Sequence, residues 1–386
     1  MMDNTLYKIR QDPARTPAAW RAADPRQLSG EAADVRWLDP RRLEESLPEA
    51  VRAALPNGGA TGVNIAHPRW ERALEFVVPK PGKKRVHLLA VGDVGGALLT
   101  ALKLEGGGTL SAVGIHDLNE KAVSRWVMEM GQICSWPPCR AALPEVEAVS
   151  SDSLFDCDVF VFAAAKSIPP VGSGVKDVRM AQLEANRPLA ESFARRAREA
   201  DFRGLFAVLS DPVDPLCQAV WRASNIGPDG ELDHLGLLPE QVQGFGLGVM
   251  SARAAYFAKR APRFASFFTE GRAFGPHGQG LVIANSTRHY DDALSRELTQ
   301  LTLEANLRVR ELGFKPYVAP AISSGALQLL LALEGEWHDS SVPLGGIWFG
   351  CRNRFTSYGL HLETLELPDA LFARLQDTER ALREIS

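Results

Sequence analysis

The chain has few cysteines, and their arrangement excludes two classes of protein. The five thiols are odd in number and scattered, with no histidine spacing of the kind that binds zinc; they are Cys134, Cys139, Cys157, Cys217 and Cys351. A small secreted scaffold would show more cysteines, in an even and closely spaced set. We therefore expect reduced thiols, as in cytosolic proteins, and no metal site.

Long apolar runs and an excess of one charge are also missing. No stretch approaches the roughly 18 uncharged apolar residues that span a bilayer, and the first residues lack the basic and then apolar regions of a signal peptide. The 43 basic and 47 acidic residues give a net charge of −4, whereas nucleic-acid and membrane-surface proteins need a concentrated basic face. We expect a cytoplasmic protein that binds a small molecule, with no nucleic-acid or membrane partner.

At 386 residues the chain is too long for one core, and its patterns indicate two domains with an N-terminal extension. The extension, residues 1–80, is rich in proline, alanine and arginine; its one predicted helix covers 39–55. It could form a packed arm, a subunit contact or a partly loose tail. The division predicted is a first domain over 81–224 and a second domain over 225–386.

Strands and helices alternate through the first of these domains. Apolar runs predict strands at 85–91, 111–116, 158–164 and 205–209. Helical patterns separate or follow them at 97–102, 119–132, 179–200 and 213–224. Runs that are apolar throughout fit strands buried on both faces, so this order predicts a doubly wound parallel Rossmann sheet, an α/β fold. The second domain is mixed α+β, with predicted helices at 251–260, 290–312, 322–334 and 368–386 and strands at 340–349 and 356–363.

A glycine-containing turn follows the first strand of this pattern. It matches the dinucleotide fingerprint G-x-G-x-x-G except that Ala90 replaces the first glycine. Gly92 keeps the second position, where the backbone approaches pyrophosphate, and Gly95 keeps the third, where helix and strand pack closely. Asp93 and Val94 stand between them. Helix–strand packing alone also produces such glycines, so the motif needs its context.

Asp117 supplies that context, because it lies 22 residues beyond Gly95 at the end of the second strand. A carboxylate there accepts both ribose hydroxyls of NAD and repels the extra phosphate of NADP. The alternative is that Asp117 is an ordinary cap of the following helix. The combined pattern predicts an NAD site formed by Gly92, Asp93, Val94, Gly95 and Asp117. The first domain, 81–224, is therefore predicted to bind NAD, and the second, 225–386, to bind the substrate.

Six short segments together resemble the lactate/malate dehydrogenase superfamily, from about residue 84 to the carboxyl terminus. In chain order they are CDVFVFAAA (157–165), VRMAQLEAN (178–186), LSDPVDP (209–215), SAR (251–253), HG (277–278) and YVAPA (317–321). The resemblance implies hydride transfer between nicotinamide and a 2-oxo or 2-hydroxy acid, assembly as a homodimer or homotetramer, and a cofactor contact at Ala164. The extension is not part of it.

The resemblance also assigns a catalytic set. Arg253 would anchor the substrate carboxylate, since a guanidinium makes two parallel bonds to it. Arg179 would polarise the substrate carbonyl from a closing lid over 166–176, and His277 would exchange the proton, because its usual pKa lies near neutrality. The alternatives are a surface arginine for Arg253, a helix-start residue for Arg179 and a structural histidine for His277.

Three positions depart from the family pattern. Met250 stands where the family has an aspartate that orients the histidine, and Asp211 stands where it has an asparagine near the nicotinamide. Pro316 replaces a small residue that lines the substrate pocket. Asp211 could take over the orienting role or favour a cationic substrate such as an imino acid. The competing hypothesis is a catalytically weak or inactive NAD-binding paralogue.

Overall fold

The structure is a computed structural model, and it describes residues 5–29, 33–44, 47–55, 60–134, 143–166 and 178–385. For residues 50, 53, 54, 178 and 179 it describes the backbone only.

Strands and helices alternate along most of this length. The strands are β1 Leu6–Ile9, β2 Ala19–Ala22, β3 Ala60–Asn64, β4 Lys84–Leu89, β5 Leu110–His116, β6 Glu145–Ala148, β7 Val159–Phe162, β8 Leu205–Val208, β9 Val242–Gly244, β10 Arg272–Phe274, β11 Val282–Ala284, β12 His338–Leu344, β13 Ile347–Thr356 and β14 Gly359–Leu362. The α-helices are α1 Glu49–Ala54, α2 Trp70–Glu75, α3 Asp93–Glu105, α4 Glu120–Gly131, α5 Val178–Glu199, α6 Val213–Ser224, α7 Leu247–Ala258, α8 Phe267–Glu270, α9 Asp292–Glu311, α10 Leu327–Glu334 and α11 Asp369–Ile385.

Six parallel strands form one half of a large sheet, in the order β6-β5-β4-β7-β8-β9. Counted along the chain this is the order 3-2-1-4-5-6 of a dinucleotide-binding Rossmann fold. All four residues of β7, and all four of β8, are buried, as expected for central strands covered by helices on both faces. The predicted α/β class and the parallel Rossmann sheet are therefore confirmed.

The sheet continues beyond β9 through β12, β13 and β14 and then into the N-terminal extension. β12 pairs antiparallel with β9, β2 pairs parallel with β14, and β3 and β1 follow at the edge. The extension is held by a buried carboxylate, because Glu240 accepts the backbone N–H groups of Ala18 at 3.0 Å and Ala19 at 2.9 Å. The extension thus shares one twelve-stranded sheet with the rest of the chain.

Two predicted helices need correction. The helix predicted over 39–55 is wrong: the structure has a 3₁₀ turn at Pro40–Arg42 and the short helix α1. Pro48 precedes α1, and a proline disfavours helical backbone in the residue before it, so the pattern of leucines cannot form one helix. The helix predicted over 322–334 is divided, since a π-helical segment, Pro320–Ala326, precedes α10.

Candidate functional site

The turn between β4 and α3 has the shape expected of a phosphate-binding turn. Gly92 precedes the first residue of α3, and a β-carbon on it would meet nothing within 4 Å. A β-carbon on Gly95 would overlap the carbonyl oxygen of Ala90. Open space at the second glycine and close contact at the third are the two requirements of the fingerprint. The N-terminal N–H groups of α3 are the groups that would face an anion here.

Ala90 adopts a backbone conformation that alanine rarely takes. Its φ is +75°, in the left-handed region that favours glycine. The conformation is held from both sides, because the Ala90 N–H donates to the His116 oxygen at 2.8 Å while Gly95 packs on the Ala90 carbonyl. Ala90 therefore adopts the backbone conformation that the first glycine of the fingerprint would have.

Asp117 lies at the end of β5, beside this turn. One carboxylate oxygen accepts the Val91 N–H at 2.9 Å and the other accepts the Asn119 N–H at 2.9 Å. It therefore joins the turn between β4 and α3 to the segment that precedes α4, while Asn119 caps that helix through Ala122. The side chain is half-buried, so its position is compatible with a ribose contact as well as with this bracing role.

Two of the other predicted cofactor residues have defined contacts. The Asp93 carboxylate forms an ion pair with Lys315 at 3.0 Å, which connects the start of α3 to the loop after α9. The Ala164 carbonyl accepts the hydroxyl of Ser210 at 2.7 Å. Val94 is half-buried. Pro316, next to Lys315, is half-buried in the same loop.

The predicted proton-transfer residue, His277, has a carboxylate beside its ring. Its Nδ1 lies 3.1 Å from an Asp211 oxygen, with the imidazole 14% exposed and the Asp211 side chain 48% exposed. The main chain of His277 is anchored as well, because its N–H donates to the buried carboxylate of Asp214 at 3.1 Å. Gly246 leaves room for the ring, since a β-carbon there would approach His277 Cβ to 2.7 Å.

Arg253 and Met250 lie one turn apart on α7. The guanidinium Nη1 of Arg253 is 3.8 Å from the Met250 sulfur, and Met250 is buried. Burial lowers the pKa of Arg253, and the Asp211 carboxylate opposes that shift. Asp211 therefore acts on both cationic partners, whereas the thioether of Met250 carries no charge.

Sequence reasoning missed a residue that holds Asp211 in place. Asn186, a buried residue of α5, donates to the Asp211 backbone carbonyl at 2.8 Å and accepts the Lys166 N–H at 2.9 Å. It couples the end of β8 to the segment that follows β7. Its place in one of the six family-like segments was the only signal in the sequence.

The remaining predicted site residue is only partly described. Arg179 belongs to α5 by its backbone, and its side chain lies outside the described residues, as does the predicted lid after Lys166. The structure therefore brings together His277, Asp211 and Arg253. Asp211 follows β8 and the turn that contains Gly92 follows β4, and these parallel strands end at the same edge of the sheet.

The described part of the chain has neither a membrane-spanning helix nor a cluster of metal-binding side chains. None of its helices is long and apolar enough to cross a membrane. Its histidine, cysteine and acidic side chains form no cluster able to hold a metal ion. The cysteines within it are free thiols, while Cys139 lies outside it.

Comparison with known proteins finds sequence similarity to L-lactate dehydrogenases. No protein-family model matches the sequence. The chain is 27% identical over 217 residues to an L-lactate dehydrogenase of Corynebacterium glutamicum, covering 55% of this chain and 62% of that relative. It is 25% identical over 194 residues to an L-lactate dehydrogenase of Halalkalibacterium halodurans, covering 50% and 56%. The match thus spans about three fifths of the length of these curated relatives.

Solved structures agree on the fold. A lactate dehydrogenase from a Medee basin deep-sea metagenome library and the minor L-lactate dehydrogenase of Enterococcus mundtii each superpose with a TM-score of 0.63 at 16% identity. Each covers 78% of this chain, and the matched parts are 98% and 97% of those proteins. Together with the sequence relatives, these matches show that the chain is similar, at low identity, to lactate dehydrogenases, and they support its membership of the lactate/malate dehydrogenase superfamily.

Proposed function

We propose that this protein is an NAD-dependent oxidoreductase that transfers hydride between nicotinamide and a 2-oxo or 2-hydroxy acid. The observation that carries the proposal is the convergence of His277, Asp211 and Arg253 at the edge of the sheet where the phosphate-binding turn lies. A pure nucleotide-binding protein has no need of a half-buried guanidinium and an imidazole with a carboxylate partner at that edge. Relatives named L-lactate dehydrogenase support the same reaction class.

The cofactor would be held by residues 81–224. Gly92 would let the backbone approach the pyrophosphate, the start of α3 would supply N–H donors, and Asp117 would accept the ribose hydroxyls. The open space at Gly92 fits this assignment. NAD, when bound, supplies the hydride acceptor or donor of the reaction.

Substrate handling would come from residues 225–386 and the end of β8. Arg253 would bind the substrate carboxylate, because a half-buried guanidinium makes strong charge-assisted bonds. His277 would hold or release the proton at the substrate oxygen, and Asp211 would orient its ring and stabilise the charged imidazolium. Asn186 would position Asp211 through its backbone. Arg179 is assigned to the substrate carbonyl by family resemblance.

The rival function is that of a weak or inactive NAD-binding paralogue, and Met250 favours it. A buried thioether next to Arg253 cannot orient an imidazole or balance its charge. The rivals differ in one respect: the enzyme needs the Asp211 carboxylate, and the inactive binder does not.

The deciding experiment has two parts. NADH is titrated to measure its binding, and 2-oxo acids and 2-imino acids are then screened as substrates, with turnover measured as the loss of NADH absorbance. We expect NADH to bind and one substrate class to be reduced. Replacing Asp211→Asn should lower kcat about 10- to 100-fold, part of the roughly 10²- to 10⁴-fold that positioned proton transfer supplies, with NADH affinity unchanged. Asp152→Asn, a change of an exposed carboxylate, is the matched control.

Three outcomes separate the alternatives. Binding of NADH without turnover of any acid supports the inactive paralogue. Reduction of imino acids in preference to oxo acids assigns Asp211 to a cationic substrate. Equal turnover by wild type and Asp211→Asn defeats the orienting role of Asp211.

A further inference from the structure

Two arginines and a histidine lie on one face of the outer sheet, far along it from the candidate active site. The register of β13 and β14 places Arg354 opposite His361. β14 pairs with β2 through Leu360 and Trp20, which puts Arg21 beside His361. Because side chains alternate between the two faces of a strand, these three project from the same face.

Aromatic rings support both guanidinium groups. The guanidinium carbon of Arg354 lies 4.5 Å from the centre of the Trp337 ring, and that of Arg21 lies 5.4 Å from the centre of the Tyr358 ring. The Trp337 ring also contacts His361, with 5.1 Å between ring centres. Stacking of this kind fixes the plane of a guanidinium and so aims its N–H groups.

Arg354 holds His361 in its neutral form. Its Nε donates to His361 Nδ1 at 3.3 Å, a bond that requires an unprotonated Nδ1. Within the part of the chain that the structure describes, the two outer nitrogens of Arg354 make no hydrogen bond. Arg354 therefore presents donors beyond those that the protein itself uses.

Positive charge is crowded at this position. Burial, together with the charges of Arg354 and Arg21, lowers the pKa of His361 to about 4. Glu363, the carboxylate two residues beyond His361, is already paired with Arg272 through two hydrogen bonds of 2.7 Å. An anion placed between the arginines would replace repulsion by attraction.

We propose that Arg21, Arg354 and His361 form a second binding site, which takes an oxyanion group, either a phosphate or a carboxylate. Planar guanidinium groups match both oxyanions through paired N–H donors. The site joins the N-terminal extension, through β2, to the β13–β14 hairpin. It is separate from the candidate active site, which lies at the end of β8, three strands away from β13 in the sheet.

Anion binding and protonation of His361 are linked at this site. The groups that act on the imidazole are Arg354, Arg21 and the ring of Trp337, with Tyr358 against Arg21. A bound oxyanion would be the one group among these to carry negative charge at neutral pH. It therefore raises the pKa of His361 from about 4. We expect a rise of about one unit or more, which corresponds to a tenfold or greater preference of the anion for the protonated form.

The test follows the His361 imidazole resonance of the full chain by NMR, assigned with His361→Gln. Inorganic phosphate and acetate are titrated separately against chloride at equal ionic strength. We expect a saturable change and an upward shift of the His361 pKa. Arg354→Gln should weaken binding tenfold or more. Arg308→Gln is the matched control, because Arg308 also stacks on a ring, that of Phe257 at 5.1 Å, at a distant exposed position.

Each outcome is decisive. A response to phosphate alone identifies a phosphate-bearing ligand, a response to acetate alone a carboxylate, and a response to both a general oxyanion site. Phosphate and acetate effects no larger than that of chloride overturn the proposal, as does wild-type affinity in Arg354→Gln. If that variant fails to fold, Arg21→Gln takes its place. No readout uses NADH, so the result is independent of the proposed oxidoreductase activity.

Discussion

Replacing Ala90 by glycine should stabilise the protein, although glycine usually destabilises. Ala90 has a φ of +75°, and a residue with a β-carbon loses about 1–2 kcal/mol in the left-handed region. Glycine avoids this strain but has about 0.4–1 kcal/mol more conformational entropy to lose on folding. The balance favours Ala90→Gly by about 1 kcal/mol, which is roughly a fivefold change in the folding equilibrium.

Urea unfolding measures this difference directly. With a slope of about 3 kcal/mol per molar for a large chain, the midpoint should rise by about 0.3 M without a change in slope. Ala97→Gly is the matched control, because Ala97 lies inside α3 and glycine in a helix interior costs about 1 kcal/mol. The two variants make the same chemical change and should move the midpoint in opposite directions.

A lower midpoint in Ala90→Gly would refute the reasoning. It would mean that the positive φ of Ala90 costs the folded protein less free energy than glycine loses in conformational entropy on folding. The neighbouring contacts make that outcome unexpected, since the Ala90 N–H and carbonyl are both held and the residue cannot relax without disturbing Gly95.

Two further predictions concern the cofactor turn and the extension. Gly92→Ala should leave stability nearly unchanged, because its β-carbon meets open space, but should weaken NADH binding tenfold or more in a fluorescence titration; unchanged affinity would place the pyrophosphate elsewhere. Burial raises the pKa of Glu240 from 4.5 to about 7, so the folded protein binds the proton more tightly than the unfolded chain. This proton contributes up to about 3 kcal/mol to the free energy of unfolding. The contribution is fully present below pH 4.5 and is lost as the pH rises through 7. Urea midpoints of wild type should therefore fall over this range relative to those of Glu240→Gln, and parallel profiles would contradict the assignment.

The Rossmann half of the sheet was predictable because its signal is local. Strands such as β7 and β8 are buried on both faces, so each is a continuous apolar run, and the helices between them carry their own periodicity. The extension carries no such signal. Its strands have four or five residues, and β2 pairs with a strand that begins at Gly359. Pairing across more than 300 residues leaves no trace in a sequence window.

The same distinction applies to the candidate site. Gly92, Gly95 and Asp117 follow from spacing, because a turn and the strand after it impose fixed distances along the chain. Asn186 looks like any polar residue of a helix, and only the fold shows that it bonds to the Asp211 backbone. Its importance depends on three segments meeting, which periodicity cannot reveal.

The position of Asp211 gives the site a different distribution of charge from the family pattern. An aspartate at position 250 would lie on α7, one turn before Arg253. Asp211 approaches His277 from the end of β8 with its side chain about half exposed, and it also acts on Arg253. The attraction between a solvent-exposed carboxylate and its cationic partner is weaker than that of a buried pair, and salt screens it more. The hold of Asp211 on His277 should therefore weaken with ionic strength, so turnover of this protein should fall with added salt through kcat as well as through substrate affinity.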